Sequence, residues 1–160
     1  MEDIIDAIIA EIQELVDGDT FFQTTLPIQM IHFDDPLLVT IDQYPYIYVA
    51  PMQDSPKNET MGRAGYDRET HLVTVGICVQ ANDYFDGSVE EKPASRYVVR
   101  AAHKIKRHLR RLQKRGLPTT TGVNNLVVGG TNYVPEQRSD SFLKLAIISL
   151  AVDRQYQNED

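Results

Sequence analysis

The residues that could perform chemistry in this chain are few and scattered. His32, Asp34 and Asp35 form a compact group of possible metal ligands, but one imidazole beside two carboxylates is common by chance, and paired acids are typical of a turn. His103 and His108 are five positions apart on a predicted helix, about 140° around its axis, so they cannot bind one metal ion together. We therefore predict no metal site and no cofactor.

Nucleophilic and phosphate-binding motifs are absent from the sequence. Cys78 alternates within a predicted strand, where a buried structural thiol is a better interpretation than a reactive nucleophile. The sequence contains no P-loop, no dinucleotide fingerprint and no nucleophile elbow. We therefore predict that the protein is not an enzyme and has no catalytic residues.

Charge is distributed very unevenly along the chain. The formal net charge is -7, yet residues 92–115 carry ten Lys and Arg and no acid, whereas residues 1–91 carry 18 acids and three bases. Residues 92–115 are called the basic helix below. Such a cluster can neutralise phosphates, but no helix-turn-helix pair and no interleaved aromatic residues accompany it. We favour a contact with acidic residues of the same chain or of a neighbouring subunit; a solvated face and nucleic-acid binding are the alternatives.

Hydrophobic periodicity predicts the elements that position these residues. An acidic amphipathic helix is predicted over residues 2–17, in addition to the basic helix. Extended segments are predicted at Ile28–Phe33, Leu37–Ile41, Tyr46–Ala50, Thr70–Ala81, Val123–Val128 and Phe142–Val152. Because the helices lie outside runs of strands, the predicted class is α+β: a small, mostly antiparallel sheet with two helices packed on one face, in one domain over residues 1–160. The polar residues 155–160 are expected to fray.

Three long connecting segments, at 52–69, 82–91 and 129–140, are predicted to be loops that serve assembly. Loops of such length are uncommon in compact domains and are often functional, although ordinary flexible loops are the other interpretation. They contain residue types that are enriched at interfaces. The predicted interface residues are Met61, Arg63, Tyr66, Arg68, Tyr84, Phe85 and Tyr133, together with Arg100, Arg107 and Arg111 of the basic helix.

The sequence predicts no membrane partner. Its first residues, MEDII, are acidic where a secretory signal would be basic, and no apolar run approaches the roughly 20 residues that a membrane span needs.

The order and lengths of these elements resemble the tail terminator (tail completion) proteins of long-tailed bacteriophages. The resemblance covers most of the chain and is carried by the segments MEDIIDAIIAEIQELVDG, YPYIYVAP, THLVTVGICVQA, ASRYVVRAAHKIKRHLRRL and FLKLAIISLAVDRQY. It implies a structural virion protein that forms a ring, commonly a hexamer, at the head-proximal end of the tail tube. The ring ends tube polymerisation and joins the tail to the head connector.

The same resemblance implies the partners and the location. The partners would be other copies of the chain, the tail tube protein and the head–tail connector or neck protein, while genomic DNA only passes through the lumen. The protein would be found in the tail or neck of the virion, after assembly in the host cytoplasm. Two alternatives stay open: a neck or head-completion protein, and a nucleic-acid-binding accessory that uses the basic helix.

Overall fold

The computed structural model describes residues 1–57, 66–80, 94–113, 115–117, 123–138 and 141–157. Two α-helices and five strands occur in these residues: α1 (Glu2–Gly18), β1 (Met30–Phe33), β2 (Tyr46–Lys57), β3 (Tyr66–Gln80), α2 (Ala94–Leu112), β4 (Val123–Arg138) and β5 (Ser141–Gln157). A π-helical turn at Phe21–Thr25 follows α1, and a 3-10 turn at Ile41–Gln43 precedes β2.

The described strands form one sheet in the order β1-β2-β3-β5-β4. β1 runs parallel to β2, and the other neighbouring pairs are antiparallel, so the sheet is mixed. The predicted α+β class is confirmed, while the parallel β1 was not foreseen. β5 lies between β3 and β4, as expected for a strand that is apolar on both faces.

Both helices pack on the same face of the sheet. The apolar stripe of α1 buries Ile4, Ile8 and Ile12 completely, because residues three and four apart lie on one side of a helix. In α2 the small Ala101 and Ala102 are fully buried, which lets this helix approach the sheet closely. These side chains meet one face of β3 in a single core that also contains Val73, Val75, Ile77 and Val79. Each large side chain buried in this way contributes about 1.5–3 kcal/mol.

The opposite face of the sheet carries a second, smaller buried cluster. It is formed by Tyr44, Tyr46, Tyr48, Ala50, Cys78, Leu143 and Leu145. The rings of Tyr44 and Tyr46 are 5.4 Å apart, and the ring of Tyr48 lies directly over Gly76, its cross-strand partner. No helix in the described residues belongs to this cluster, so other segments must shield it from water.

Arg138, at the end of β4, ties the two outer edges of the sheet together across this second cluster. Its guanidinium group donates to Asp35 in the segment after β1, at 3.0 and 2.9 Å, and to the Tyr46 hydroxyl at 2.6 Å. A flat sheet would separate β1 from β4 by four strand spacings, about 19 Å. Both segments therefore bend over the face that carries Tyr46, and a bulge between Val128 and Thr131 supplies curvature in β4.

The predicted strand at Leu37–Ile41 is wrong. Asp34 and Leu37 have φ angles of 68° and 60°, which interrupt any extended run. The Asp35 carboxylate accepts a hydrogen bond from the Leu37 amide at 3.0 Å. Asp35 therefore stabilises the expected turn, and the turn reaches as far as Leu37. Residues 38–40 form neither helix nor strand.

Two predicted loops are largely strand. β2 continues through Pro51 to Lys57, and β3 begins at Tyr66. The described residues of the predicted 52–69 loop therefore all belong to these two paired strands. Pro51 is tolerated because β1 ends opposite Val49, which makes β2 an edge strand beyond that point. β4 likewise continues to Arg138 through the predicted loop 129–140. Residues 58–65, 82–91 and 139–140 lie outside the described part of the chain.

The carboxyl-terminal residues are more ordered than expected. β5 extends to Gln157, where it pairs with Tyr66, so residues 155–157 form strand rather than a frayed tail. Residues 158–160 lie outside the described residues.

Gly76→Ala is expected to destabilise the fold. An added Cβ would lie 2.1 Å from two ring carbons of Tyr48, a distance that requires the ring to move, and overpacking of this kind typically costs about 1–3 kcal/mol. Chemical denaturation measures the loss. Gly18→Ala is the control, since an added Cβ there has no atom within 4 Å. Tyr48→Val removes the ring and serves as a second background. If Gly76→Ala lowers the stability of the Tyr48→Val variant as much as it lowers that of the wild type, the Tyr48 ring is not the cause.

Arg138→Met is expected to cost about 1–3 kcal/mol at neutral pH, because it leaves the partly buried Asp35 carboxylate without its counter-charge. Although burial opposes it, the hydrogen bond from Arg138 holds the pKa of Asp35 below its ordinary value. A depressed carboxyl pKa stabilises the fold above the unfolded pKa of about 3.9, and that stabilisation is lost as pH falls through the folded pKa.

Urea denaturation of wild type and Arg138→Met from pH 7 to pH 3 tests this contact. The stability difference should be largest at neutral pH and should shrink below about pH 4. Arg107→Met, which removes an exposed guanidinium group from α2, should change stability by less than about 0.5 kcal/mol at every pH. A difference that stays constant with pH would show that Arg138 acts through packing alone.

Candidate assembly interface

A basic groove follows α2 on the side that faces the end of α1. It encloses about 390 Å³ and is lined by Leu15, Asp19, Arg100, His103, Lys104, Arg107, His108 and Arg111. The α2 residues recur at intervals of three and four positions, so they form a continuous stripe beside the buried one. Asp19 is the one acidic side chain in this lining, which makes the groove strongly cationic.

Part of the groove is neutralised within the chain. Lys104 Nζ lies 2.9 Å from Asp19 Oδ2, and His108 Nε2 lies 3.2 Å from Glu11 Oε2. The hydrogen bond from Lys104 is the main cause of the lowered pKa of Asp19, assisted by the Phe21 amide. The expected contact between acidic residues and the basic helix therefore forms within one chain. It lies at the part of the groove lined by Lys104 and His108, which is called the inner end below.

The outer part of the groove is not neutralised by the described residues. Arg107 and Arg111 are exposed and form no ion pair there, and Arg100 stacks over the Phe21 ring at 4.8 Å from its centroid. Three further guanidinium or ammonium groups of α2, at Arg96, Lys106 and Arg110, also make no ion pair with the described residues. The arginines 100, 107 and 111 thus present a surface that suits an anionic partner.

The acids of α1 divide between two directions. Asp3 pairs with Arg154 of β5 rather than with α2, and this hydrogen bond is the main cause of lowering its pKa to about 2. Glu2, Asp6 and Glu14 are exposed to solvent. Among the described contacts, the acids that pair with the basic helix are Glu11 of α1 and Asp19, the residue directly after α1.

An apolar patch lies where α2 meets the outer strand β4. Val99, Tyr133 and Val134 are 47%, 51% and 40% exposed, and they line a small groove of about 100 Å³ with Pro135. β4 is the edge of the described sheet, so its outward backbone groups lie next to this patch. Exposed aromatic and aliphatic side chains grouped beside an open edge are typical of a contact surface.

The predicted interface residues fall into three groups. Tyr133, Arg100, Arg107 and Arg111 are exposed, on the patch and the groove. Arg68 instead contacts Asp153 at 2.6 Å across β3 and β5, in line with a structural role. Met61, Arg63, Tyr84 and Phe85 lie outside the described residues; Tyr66 begins β3, and its side chain is not described.

The residues first considered for chemistry occupy ordinary structural positions. Cys78 is completely buried, and burial raises the pKa of its thiol to about 12, which disfavours the reactive thiolate. His32 stacks edge-on against Tyr46, and Asp35 binds Arg138. Sequence patterns missed the cluster of Asp54, Glu69 and His71, which the hairpin register brings together. No helix in the described residues is long and apolar enough to cross a membrane.

Comparison with known proteins identifies a fold relative. No protein-family model matches the sequence, and no curated protein matches it. Among solved structures, the chain is similar to a chain from the virion of a native gene transfer agent particle, with a TM-score of 0.50. The match has 10% sequence identity and covers 94% of each chain, so the two share an overall fold along nearly their whole length.

Lys104→Met is expected to raise the pKa of Asp19 towards its ordinary value of about 3.9. The rise should be incomplete, because the Phe21 amide still donates to Asp19 Oδ1 at 2.9 Å. An NMR titration of the side-chain carboxyl carbon measures this pKa. Arg107→Met is the control: it removes a charge from the same groove without touching Asp19, and should leave the pKa close to that of the wild type. An unchanged pKa in Lys104→Met would contradict the assigned contact.

Proposed function

We propose that the protein is a structural component of a phage-like virion. The observation that carries the proposal is the shared fold with a chain from a gene transfer agent virion, which extends over 94% of both chains. An exposed cationic groove and an exposed apolar patch on one small domain fit a protein whose role is to contact other proteins. On this proposal the protein is not an enzyme.

Within that class we propose the role of a tail terminator. In this role copies of the chain assemble into a ring, most simply a hexamer, at the head-proximal end of the tail tube. The ring ends tube polymerisation and joins the tail to the head connector. The resemblance in element order supports this role, as does the presence of two chemically different surfaces on the same domain.

A ring requires a heterologous interface, in which two different surfaces of neighbouring copies meet. The basic groove, with Arg100, Arg107 and Arg111, is complementary in charge to the exposed acids of α1, including Asp6 and Glu14. Exposed pairs of this kind contribute only about 0–1 kcal/mol each and act mainly on orientation and partner choice. The apolar patch around Tyr133 would supply the buried area that stabilises the contact.

The remaining partners and the location follow from the same role. The tail tube protein and the head–tail connector would bind the two ends of the ring, and genomic DNA would pass through its lumen. Met61, Arg63, Tyr66, Tyr84 and Phe85 stay predicted contact residues for these partners. The protein would be assembled in the host cytoplasm and retained in the tail or neck of the virion. A neck or head-completion protein is an alternative within the same class.

A nucleic-acid-binding accessory is the second candidate, because Arg107 and Arg111 are exposed in a cationic groove. Against it, Asp19 already pairs with Lys104 and Glu11 lies beside His108 at the inner end of the groove, and the chain outside residues 92–115 carries a strong negative charge that repels a polyanion. Binding through phosphates would weaken steeply with added salt, whereas a protein ring need not respond to DNA at all.

The test is a tube-capping experiment. Tail tube protein is polymerised with and without the purified chain, and tube lengths are measured by negative-stain electron microscopy. The expected result is short tubes of limited length with a ring at one end. The triple variant Arg100→Glu/Arg107→Glu/Arg111→Glu should lose ring formation, because the groove then repels the acids of its neighbour.

The matched control is Arg96→Glu/Lys106→Glu/Arg110→Glu. It changes the net charge by the same amount on the same helix but leaves the groove lining intact. The control should cap tubes as the wild type does. Tubes that grow freely with the wild-type chain would overturn the terminator role. In a separate DNA-binding measurement, binding that weakens with salt and is lost only in the groove variant would favour the nucleic-acid-binding accessory.

A further inference from the structure

Three side chains that can ligate a metal ion meet on the β2–β3 hairpin. Asp54, Glu69 and His71 place one ligand atom each within 4.8 Å of one another, and they are the one such group in the described residues. They lie on the face that carries the helices, at the end of the hairpin beyond the last residue paired with β1. None of them belongs to the basic groove or the apolar patch.

A bulge in β2 is what brings the group together. Pro51 pairs with Val73, but Gln53 pairs with Leu72, so Met52 is an extra residue in the strand. Because side chains alternate between faces, one inserted residue moves every later side chain to the other face. The shift places Asp54 directly opposite His71. Without it, Asp54 would face the other side of the sheet.

The His71 ring is held in an orientation suited to metal binding. Its side chain is 2% exposed, and Nδ1 lies 2.7 Å from Asp54 Oδ1. When Asp54 accepts the Nδ1 proton, the neutral ring keeps its lone pair on Nε2. Nε2 is buried and has no hydrogen-bond partner in the described structure, although Glu69 Oε2 is 3.3 Å away. A buried acceptor nitrogen without a partner is costly unless something else binds it.

We propose that this cluster binds a divalent transition-metal ion of the zinc class. His71 Nε2 and a Glu69 carboxylate oxygen are the protein ligands, and water completes the coordination. Two ligands about 2.0–2.2 Å from one ion at a tetrahedral angle are roughly 3.3–3.5 Å apart, which agrees with the 3.3 Å between these atoms. Asp54 is the positioning residue, in the carboxylate–histidine–metal arrangement that fixes the ring and strengthens its nitrogen as a ligand.

The ligand chemistry separates this ion from the common hard cations. Imidazole nitrogen suits Zn²⁺ and its neighbours, whereas Mg²⁺ and Ca²⁺ prefer sites built entirely of oxygen. A bound ion would link side chains two residues apart on β3, while Asp54 anchors the ring from β2. This proposal does not depend on the role in the virion.

The experiment titrates the intact, metal-free protein with Zn²⁺, in competition with a chromophoric chelator, and with Co²⁺ as a spectroscopic probe. The wild type should bind one Zn²⁺ saturably, show the absorption of a Co²⁺ site with nitrogen and oxygen ligands, and melt at a higher temperature as Zn²⁺ is added. Mg²⁺ and Ca²⁺ should not compete. Absence of saturable Zn²⁺ binding would overturn the proposal and leave His71 as a structural partner of two carboxylates.

Variants identify the ligands. Glu69→Gln should weaken Zn²⁺ binding by more than tenfold, and Asp54→Asn by about 10–100-fold, the range typical of outer-shell partners. His71→Gln should abolish saturable binding. Because His71 is buried and this change could unfold the protein, Glu69→Gln at a partly exposed position is the safer test. His103→Gln, an exposed histidine on α2, is the control and should bind as the wild type does. Equal affinity in wild type and Glu69→Gln would contradict the site.

Discussion

The main constraint on the structure is that the sheet has two apolar faces, whereas the single layer of helices can shield only one of them from water. The helices cover one face, and the other is covered only because the sheet curls and its outer segments meet. Arg138 holds that meeting point: its guanidinium group bonds the Asp35 carboxylate and the Tyr46 hydroxyl at once. A buried guanidinium group is favourable only when its donors find acceptors, so the contact specifies one arrangement of the curled sheet.

This closure determines which surfaces remain for partners. The tyrosine cluster is already buried, whereas the exposed basic groove and the exposed apolar patch lie on the helix side and along β4. The charge asymmetry of the sequence then has two physical outcomes. At the inner end of the groove, Lys104 and His108 join α2 to the α1 region, while the outer arginines stay in water. One helix thereby packs against the core on one face, pairs with acidic residues of the same chain on a second, and exposes arginines to solvent on a third.

The sequence was most informative where the side-chain pattern reflects a single local constraint. The amphipathic helices α1 and α2 were correctly predicted from the spacing of their apolar residues, and a strand was correctly predicted at Phe142–Val152, within β5. The predictions failed where pairing with a distant strand decides the conformation. Residues such as Gln53 and Asn132 are polar and lack periodicity, so they were assigned to loops, yet long-range ladders make them strand. Leu37 has strand-like neighbours, but a local Asp35 side-chain bond overrides its propensity.

The same reasoning explains why the sequence predicted the arginines of the basic helix but missed the histidine cluster. The groove lies on one helix, whose period of 3.6 residues can be read directly from the positions of its arginines. The cluster depends on the register between two strands, and in particular on the extra residue at Met52. Nothing in the order PMQDS marks Met52 rather than a neighbour as the inserted residue. A one-residue difference in pairing decides whether Asp54 meets His71 or points away, so this site becomes visible only once the hairpin is folded.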